Sequence, residues 1–170
     1  MKPRILIADD DLSVRESLAK VLGGLDYEVV LAANGQEALE WFEQGPVDLL
    51  LLDLGLPIVN GWDAFERITT ENPLLPIIII TGQANQRDVA MAAGVGALME
   101  KPLDVSRLLK TMHELLAEPK KNRLLRLCGY TNDVRYIPSG STLFLKKLHE
   151  HHPASAHLRL GHTHKNWRRG

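Results

Sequence analysis

The chain has 170 residues, 45% of them hydrophobic and 24% charged, with a formal net charge of −1. That length holds one domain of ordinary size plus an appendage, with enough apolar residues for a packed core. The single cysteine, Cys128, excludes an intramolecular disulfide and fits a reducing compartment. The N-terminal apolar stretch, Ile5 to Ala8, runs straight into three aspartates and is neither a signal peptide nor a membrane span, so a cytoplasmic protein without membrane association is expected.

Taken in order, Arg4 to Ala8 is a short β-type run that ends in Asp9, Asp10 and Asp11. Leu12, Leu18, Ala19 and Leu22 follow at helical spacing, stopped by Gly23-Gly24. Tyr27 to Ala32 reads as a second strand. Asn34 and Glu37 form a capping-box-like pair for a helix carrying Ala38, Leu39 and Phe42, which ends near Gly45-Pro46. Leu49 to Leu52 is a continuous apolar run of the kind buried on both faces of a parallel sheet, and it ends on Asp53. Asn60-Gly61 opens a helix with Ala64, Phe65 and Ile68. Ile77 to Ile80 is a fourth buried strand, ending at Thr81-Gly82. A small-residue helix, Asp88 to Ala93, is closed by Gly94. Ala97 to Glu100 is a less apolar fifth strand, nearer an edge, running into Lys101-Pro102. Asp104 caps a last helix with Leu108, Leu109, Met112, Leu115 and Leu116 on one stripe.

Strand and helix alternate five times over about 120 residues, the pattern of a parallel doubly wound sheet with right-handed crossovers and helices on both faces. In such a sheet all carboxyl ends share one edge, where open α/β sheets place their chemistry. The residues just past those ends are Asp9-Asp10, Asp53, Thr81 and Lys101. Crowded carboxylates repel one another, and a hard divalent cation such as Mg²⁺ relieves this. Asp53 can attack a phosphoryl group to give an aspartyl phosphate. The Lys101 ammonium and the metal would neutralise charge on the transferred group, and the Thr81 hydroxyl can donate to the same oxygens.

The residues ILIADDD at 5–11, LLLLDLGLPIVNG at 49–61, IIIITGQ at 77–83 and LMEKPLD at 98–104 resemble the receiver domain of two-component response regulators. The resemblance covers residues 4 to about 118 and implies a flavodoxin-like, five-stranded fold. It implies that Asp53 is the phosphoacceptor and that Asp9, Asp10 and Asp53, with the backbone carbonyl of Gly55, bind Mg²⁺. It also implies that Thr81 and Lys101 read the phosphoryl group, and that the peptide bond before Pro102 is cis. Two positions depart from the family pattern. Leu98 stands where the family often carries the aromatic half of its switch with the threonine, and Gly55 offers no side chain beside the phosphoryl group, which Gln83 also flanks.

The charge divides sharply. Residues 1–118 carry a net −10 and residues 119–170 a net +9, and six of the seven histidines lie in the second part. This asymmetry predicts a receiver domain at 1–118 and a basic, His-rich extension at 119–170 that is short and helical or irregular. Lys120 to Leu127 and Thr142 to His151 read as helices, and Pro138, Ser139 and Gly140 as a turn. The extension's first expected partner is the receiver of its own or a neighbouring molecule, with Leu124, Leu125 and Leu127 burying apolar surface. Gly161-His162-Thr163-His164 resembles a metallophosphoesterase stretch, but the other motifs of that family are absent.

The resulting expectation is a stand-alone Mg²⁺-dependent receiver. It would accept a phosphoryl group on Asp53 from a histidine kinase or phosphotransfer protein and signal to a downstream protein, with homodimerisation open and no catalytic output of its own. A DNA-binding transcriptional regulator acting through the basic extension is the rival. A haloacid-dehalogenase-type phosphatase is disfavoured, because that family needs a second aspartate where Gly55 stands, and its nucleophile follows the first motif strand, not the third.

Overall fold

The computed structural model describes residues 2–131 and 133–139. The expected helix at 142–151, Gly140 of the expected turn, the histidines at 149–164 and the Gly161–His164 motif lie outside the described residues. The elements run β1 (Arg4–Ala8), α1 (Leu12–Gly23), β2 (Glu28–Ala32), α2 (Gly35–Glu43), β3 (Leu49–Asp53), α3 (Gly61–Glu71), β4 (Ile77–Thr81), α4 (Arg87–Ala92), β5 (Ala97–Glu100), α5 (Val105–Leu116), α6 (Lys120–Leu127) and β6 (Arg135–Ile137). All strand pairs are parallel, in the order β2-β1-β3-β4-β5-β6.

The two-residue period of the strands divides the core. Leu6, Leu50, Leu52, Ile79 and Leu98 face one side with Ala38, Ala64, Ile68 and Ala90, from α2, α3 and α4. Ile5, Ile7, Leu49, Leu51, Ile78, Ile80 and Met99 face the other with Leu18, Leu22, Leu108, Met112 and Leu115, from α1 and α5. β3 and β4 are buried along their whole length, which is why their sequences are unbroken aliphatic runs rather than alternations.

Side-chain caps start four helices where the sequence places them. Asp11 accepts from Ser13 N at 2.8 Å, Asn34 from Glu37 N at 2.8 Å, Asn60 from Asp63 N at 2.9 Å and Asp104 from Arg107 N at 3.1 Å. The Glu37 carboxylate reaches back to Ala33 N at 2.8 Å, which closes the expected box one residue earlier than the cap itself. α4 has no side-chain cap and is the shortest helix described, ending at Gly94 with φ +65.

The expectation of five strands is corrected to six. Beyond α5 the chain turns into α6, which packs under the amino edge of the sheet, and then adds β6 to the outer edge of β5. The run Val134-Arg135-Tyr136-Ile137 supplies the β-branched and aromatic residues a strand favours. α6 is the helix expected over 120–127; of its three leucines Leu125 is half-buried while Leu124 and Leu127 are exposed, and its buried residue is Arg126. Leu124 is 53% exposed and Leu127 37%, whereas Arg126 is 5% exposed. Arg126 donates to Glu118 Oε1 at 2.7 Å and Oε2 at 2.9 Å, and Arg123 donates to the carbonyl of Leu74 at 3.1 Å. Chemically, a guanidinium fork satisfies a carboxylate and main-chain carbonyls at once, and those groups are what a sheet's amino edge presents.

Candidate phosphoacceptor site

The strand order reverses direction between β1 and β3, and a crevice opens at the carboxyl ends of such a pair. Asp9 and Asp53 stand in that crevice, 1% and 6% exposed, with Asp10 exposed at its mouth. One ligand oxygen from each of the three lies within 4.8 Å of the others. A set of three carboxylates around one point suits a hard divalent cation.

Lys101 enters from the end of β5. Its Nζ lies 2.8 Å from Asp9 Oδ2 and 2.5 Å from Asp53 Oδ2, so one ammonium bridges the two buried carboxylates. The Lys101–Pro102 peptide is cis, as the resemblance implied. Burial pulls the Lys101 ammonium down, but its bonds to Asp53 and Asp9 outweigh this and hold it above its ordinary value. Asp9 is pushed above the usual carboxylate range, chiefly by burial and further by the charge of Asp53, against the bonds from Lys101 and Asp11 N. The buried acid pair therefore needs positive charge, and in this structure Lys101 provides it.

The remaining groups are held by backbone. Asp53 Oδ1 accepts from Gly55 N at 3.0 Å, and Asp9 Oδ1 accepts from Asp11 N at 3.0 Å. Thr81 is 1% exposed at the end of β4; its Oγ1 accepts from Gln83 N at 2.9 Å, and its carbonyl accepts from Lys101 N at 2.9 Å. A Cβ on Gly61 would overlap the Asp53 carbonyl, so only glycine lets α3 start against β3 directly behind Asp53. The structure thus brings Asp9, Asp10, Asp53, Thr81 and Lys101 to one edge. Leu98 lies on β5, three residues before Lys101, in the core and 2% exposed.

Residues 5–113 match the response regulator receiver domain. The chain belongs to that family. Its receiver is 34% identical over 119 residues to the DNA-binding transcriptional regulator NtrC of Bradyrhizobium sp. (strain RP501 Parasponia), covering 69% of this chain and 25% of that one. It is 35% identical over 122 residues to the response regulator MprA of Mycobacterium ulcerans (strain Agy99), covering 71% of this chain and 53% of that one. Among solved structures, the CheY-like receiver domain protein from Methanospirillum hungatei JF-1 superposes with a TM-score of 0.67 at 32% identity, covering 72% of this chain and 99% of that chain. The chain therefore spans between a quarter and about half of the length of these two curated relatives. The receiver is a signalling domain of two-component systems, and among the described residues no helix is long and apolar enough to cross a membrane.

Sequence reasoning missed three groups around the receiver site. Arg15, one turn into α1, donates to the Asp9 carbonyl at 2.5 Å and so braces the turn that carries Asp9 and Asp10. Glu100, the residue before Lys101, accepts from Tyr136 Oη at 2.6 Å. Arg87, at the start of α4, stacks over the Tyr136 ring at 5.0 Å. The β-type run at 134–137 was the available signal for the last two; nothing local in the sequence points Arg15 back at Asp9.

Proposed function

We propose that Asp53 accepts a phosphoryl group from a histidine kinase or phosphotransfer protein and that the loaded receiver signals by contact with a downstream protein. The observation that carries this reading is the Lys101 bridge between Asp9 and Asp53. The ammonium lies against the Asp53 carboxylate, where it would meet the charge of a transferred phosphoryl group, and a carboxylate so placed is the nucleophile an aspartyl phosphate requires. In the transfer, an Asp53 carboxylate oxygen bonds to phosphorus as the donor's bond to phosphorus breaks, leaving a mixed anhydride on Asp53. Lys101 exchanges its bond to Asp53 for one to a phosphoryl oxygen. The Thr81 hydroxyl, now an acceptor from Gln83 N, has its own proton to donate to another. Asp9, Asp10 and Asp53, with the Gly55 carbonyl, are the groups that would hold Mg²⁺, which supplies further neutralisation of the transferred group's charge. Two residues past Asp53 stands Gly55, with no carboxyl to serve as a general acid, which supports acceptor chemistry over phosphomonoester turnover.

The test is intact mass after incubation with Mg²⁺ and acetyl phosphate. One phosphoryl group should add to the wild type, none to Asp53→Ala, and none in the presence of EDTA. A mass gain that persists on Asp53→Ala would place the acceptor elsewhere. Duplex-DNA binding by the full chain at physiological salt would support the transcriptional rival.

A further inference from the structure

We infer that β6 is a latch that reports the state of Asp53, with Tyr136 in the part that an aromatic on β5 would otherwise take. The inference rests on the acceptor reading above and extends it to the output.

The latch belongs to this chain. The match to the receiver family ends at residue 113, so α6 and β6 lie beyond it. They close the outer edge of β5, which otherwise presents a row of unpaired main-chain groups. The pair is short, with Ala97, Leu98 and Met99 of β5 opposite Arg135, Tyr136 and Ile137. Val134 and Tyr136 pack on one core face and Ile137 on the other, and polar contacts add to this among the described residues. Tyr136 Oη donates to Glu100 Oε1 at 2.6 Å, Ser139 N donates to Glu100 Oε2 at 3.3 Å, the Arg87 guanidinium lies over the Tyr136 ring, and Arg135 Nε donates to Glu114 Oε2 at 3.1 Å.

Two of these anchors sit on the segments that carry the phosphoryl-reading residues. Glu100 is bonded in sequence to Lys101, whose Nζ is on Asp53. Arg87 opens α4 directly after the loop that leaves Thr81. The two segments are already tied, since Lys101 N donates to the Thr81 carbonyl at 2.9 Å and Thr81 is the register partner of Glu100. Tyr136 is in turn the register partner of Leu98, and its ring packs on the same core face as Leu98 and Ala90 of α4. An aromatic thus lies beside the position where β5 has only leucine, supplied by the added strand.

The consequence is a two-state element with both grips near one trigger. When Lys101 and Thr81 move toward a phosphoryl group on Asp53, Glu100 and Arg87 shift together. Tyr136 then loses its acceptor and its cation at once, and β6 loosens from β5. Linkage requires the reverse as well: weakening the latch must favour the loaded state by the same factor.

Amide hydrogen exchange over 97–100 and 134–139, on the full chain, tests this with and without Mg²⁺ and beryllium fluoride, an inert phosphoryl mimic. Loading is followed separately by binding of the mimic and by the acetyl phosphate mass gain. Loading should speed exchange of β6 in the wild type by about tenfold, and in Asp53→Ala not at all. Tyr136→Phe keeps the ring over Arg87 but removes the bond to Glu100. Its β6 should exchange about fivefold faster before loading, and it should bind the mimic more tightly by a similar factor. A strand with a purely structural role would show the first effect without the second, and that result would overturn the latch. Unchanged or slower β6 exchange in a wild type that demonstrably loads would also overturn it while leaving the acceptor reading intact. If the wild type neither gains a phosphoryl group nor binds the mimic, both readings fall together.

Discussion

Arg126 is the single residue on which the docking of α6 depends most. Its guanidinium, 5% exposed, makes both bonds of a fork to Glu118 and a third from Nε to the Gly94 carbonyl at 3.3 Å. Arg126→Ala leaves a carboxylate whose side chain is 8% exposed without its main partner. Breaking one half of a buried pair costs about 3–5 kcal/mol. Arg123 Nε remains 3.6 Å from Glu118 Oε2 and compensates in part, so the expected loss is at the lower end, about 3 kcal/mol. The pH dependence has a definite sign. Burial pushes Glu118 up, but the bonds and charge of Arg126, with the charges of Arg135 and Arg123, hold it below its ordinary value of 4.5. A depressed folded pKa stabilises above the unfolded value and is lost as pH falls through the folded one. The gap between wild type and Arg126→Ala in urea unfolding should therefore be full at about pH 7 and narrow on acidification to about pH 3. Glu118→Gln on the Arg126→Ala background should recover part of the loss, because no charge is then left buried. A gap below about 1 kcal/mol at neutral pH, or one unaffected by acid, would refute the argument from a buried ion pair.

Lys101→Ala frees the two carboxylate oxygens that the ammonium occupies, so calorimetric Mg²⁺ affinity should be retained or raised while the β6 response to loading disappears; loss of Mg²⁺ affinity as the main effect would contradict that geometry. Ile58 is 79% exposed at φ 68, a conformation that costs a β-branched residue about 1–2 kcal/mol; Ile58→Asn should raise the urea midpoint by an equivalent of about 1 kcal/mol. Leu98→Tyr puts a ring into a position 2% exposed and beside Tyr136, which should cost about 1–3 kcal/mol and speed β6 exchange before any phosphoryl group is added.

The parts of this fold that could be read in advance are those whose signal is local. The aliphatic runs at 49–52 and 77–80 carry their own burial, and Asp11, Asn34, Asn60 and Asp104 each bond to a backbone N–H two or three residues on. That Asp9, Asp10, Asp53, Thr81 and Lys101 meet was legible for a topological reason, since parallel strands bring their ends to one edge whatever the loops between them do. Distances along the chain hid the rest. Glu100 meets Tyr136 across 36 residues and Arg123 meets the Leu74 carbonyl across 49, and neither contact leaves a periodic trace in the sequence. Residues 134–137 are a run shorter than the usual strand, and a three-residue strand persists only because β5 is already in place to receive it.

The charge division at residue 118 shows why composition located a boundary that the sheet runs across. Net charge bears on solubility and partners, not on fold. Residues 119–139 contain five basic side chains, Lys120, Lys121, Arg123, Arg126 and Arg135, and one acidic, Asp133. Three of the five are committed inside the domain: Arg123 and Arg126 to Glu118 and to main-chain carbonyls, and Arg135 to Glu114. Their positive charge is thus the complement of carboxylates on and just after α5, with the Glu118 pairs buried and the Arg135–Glu114 pair partly exposed. What composition presents as a basic face awaiting a partner is, over this stretch, an interface already made, and its partner is the acidic half of the same chain.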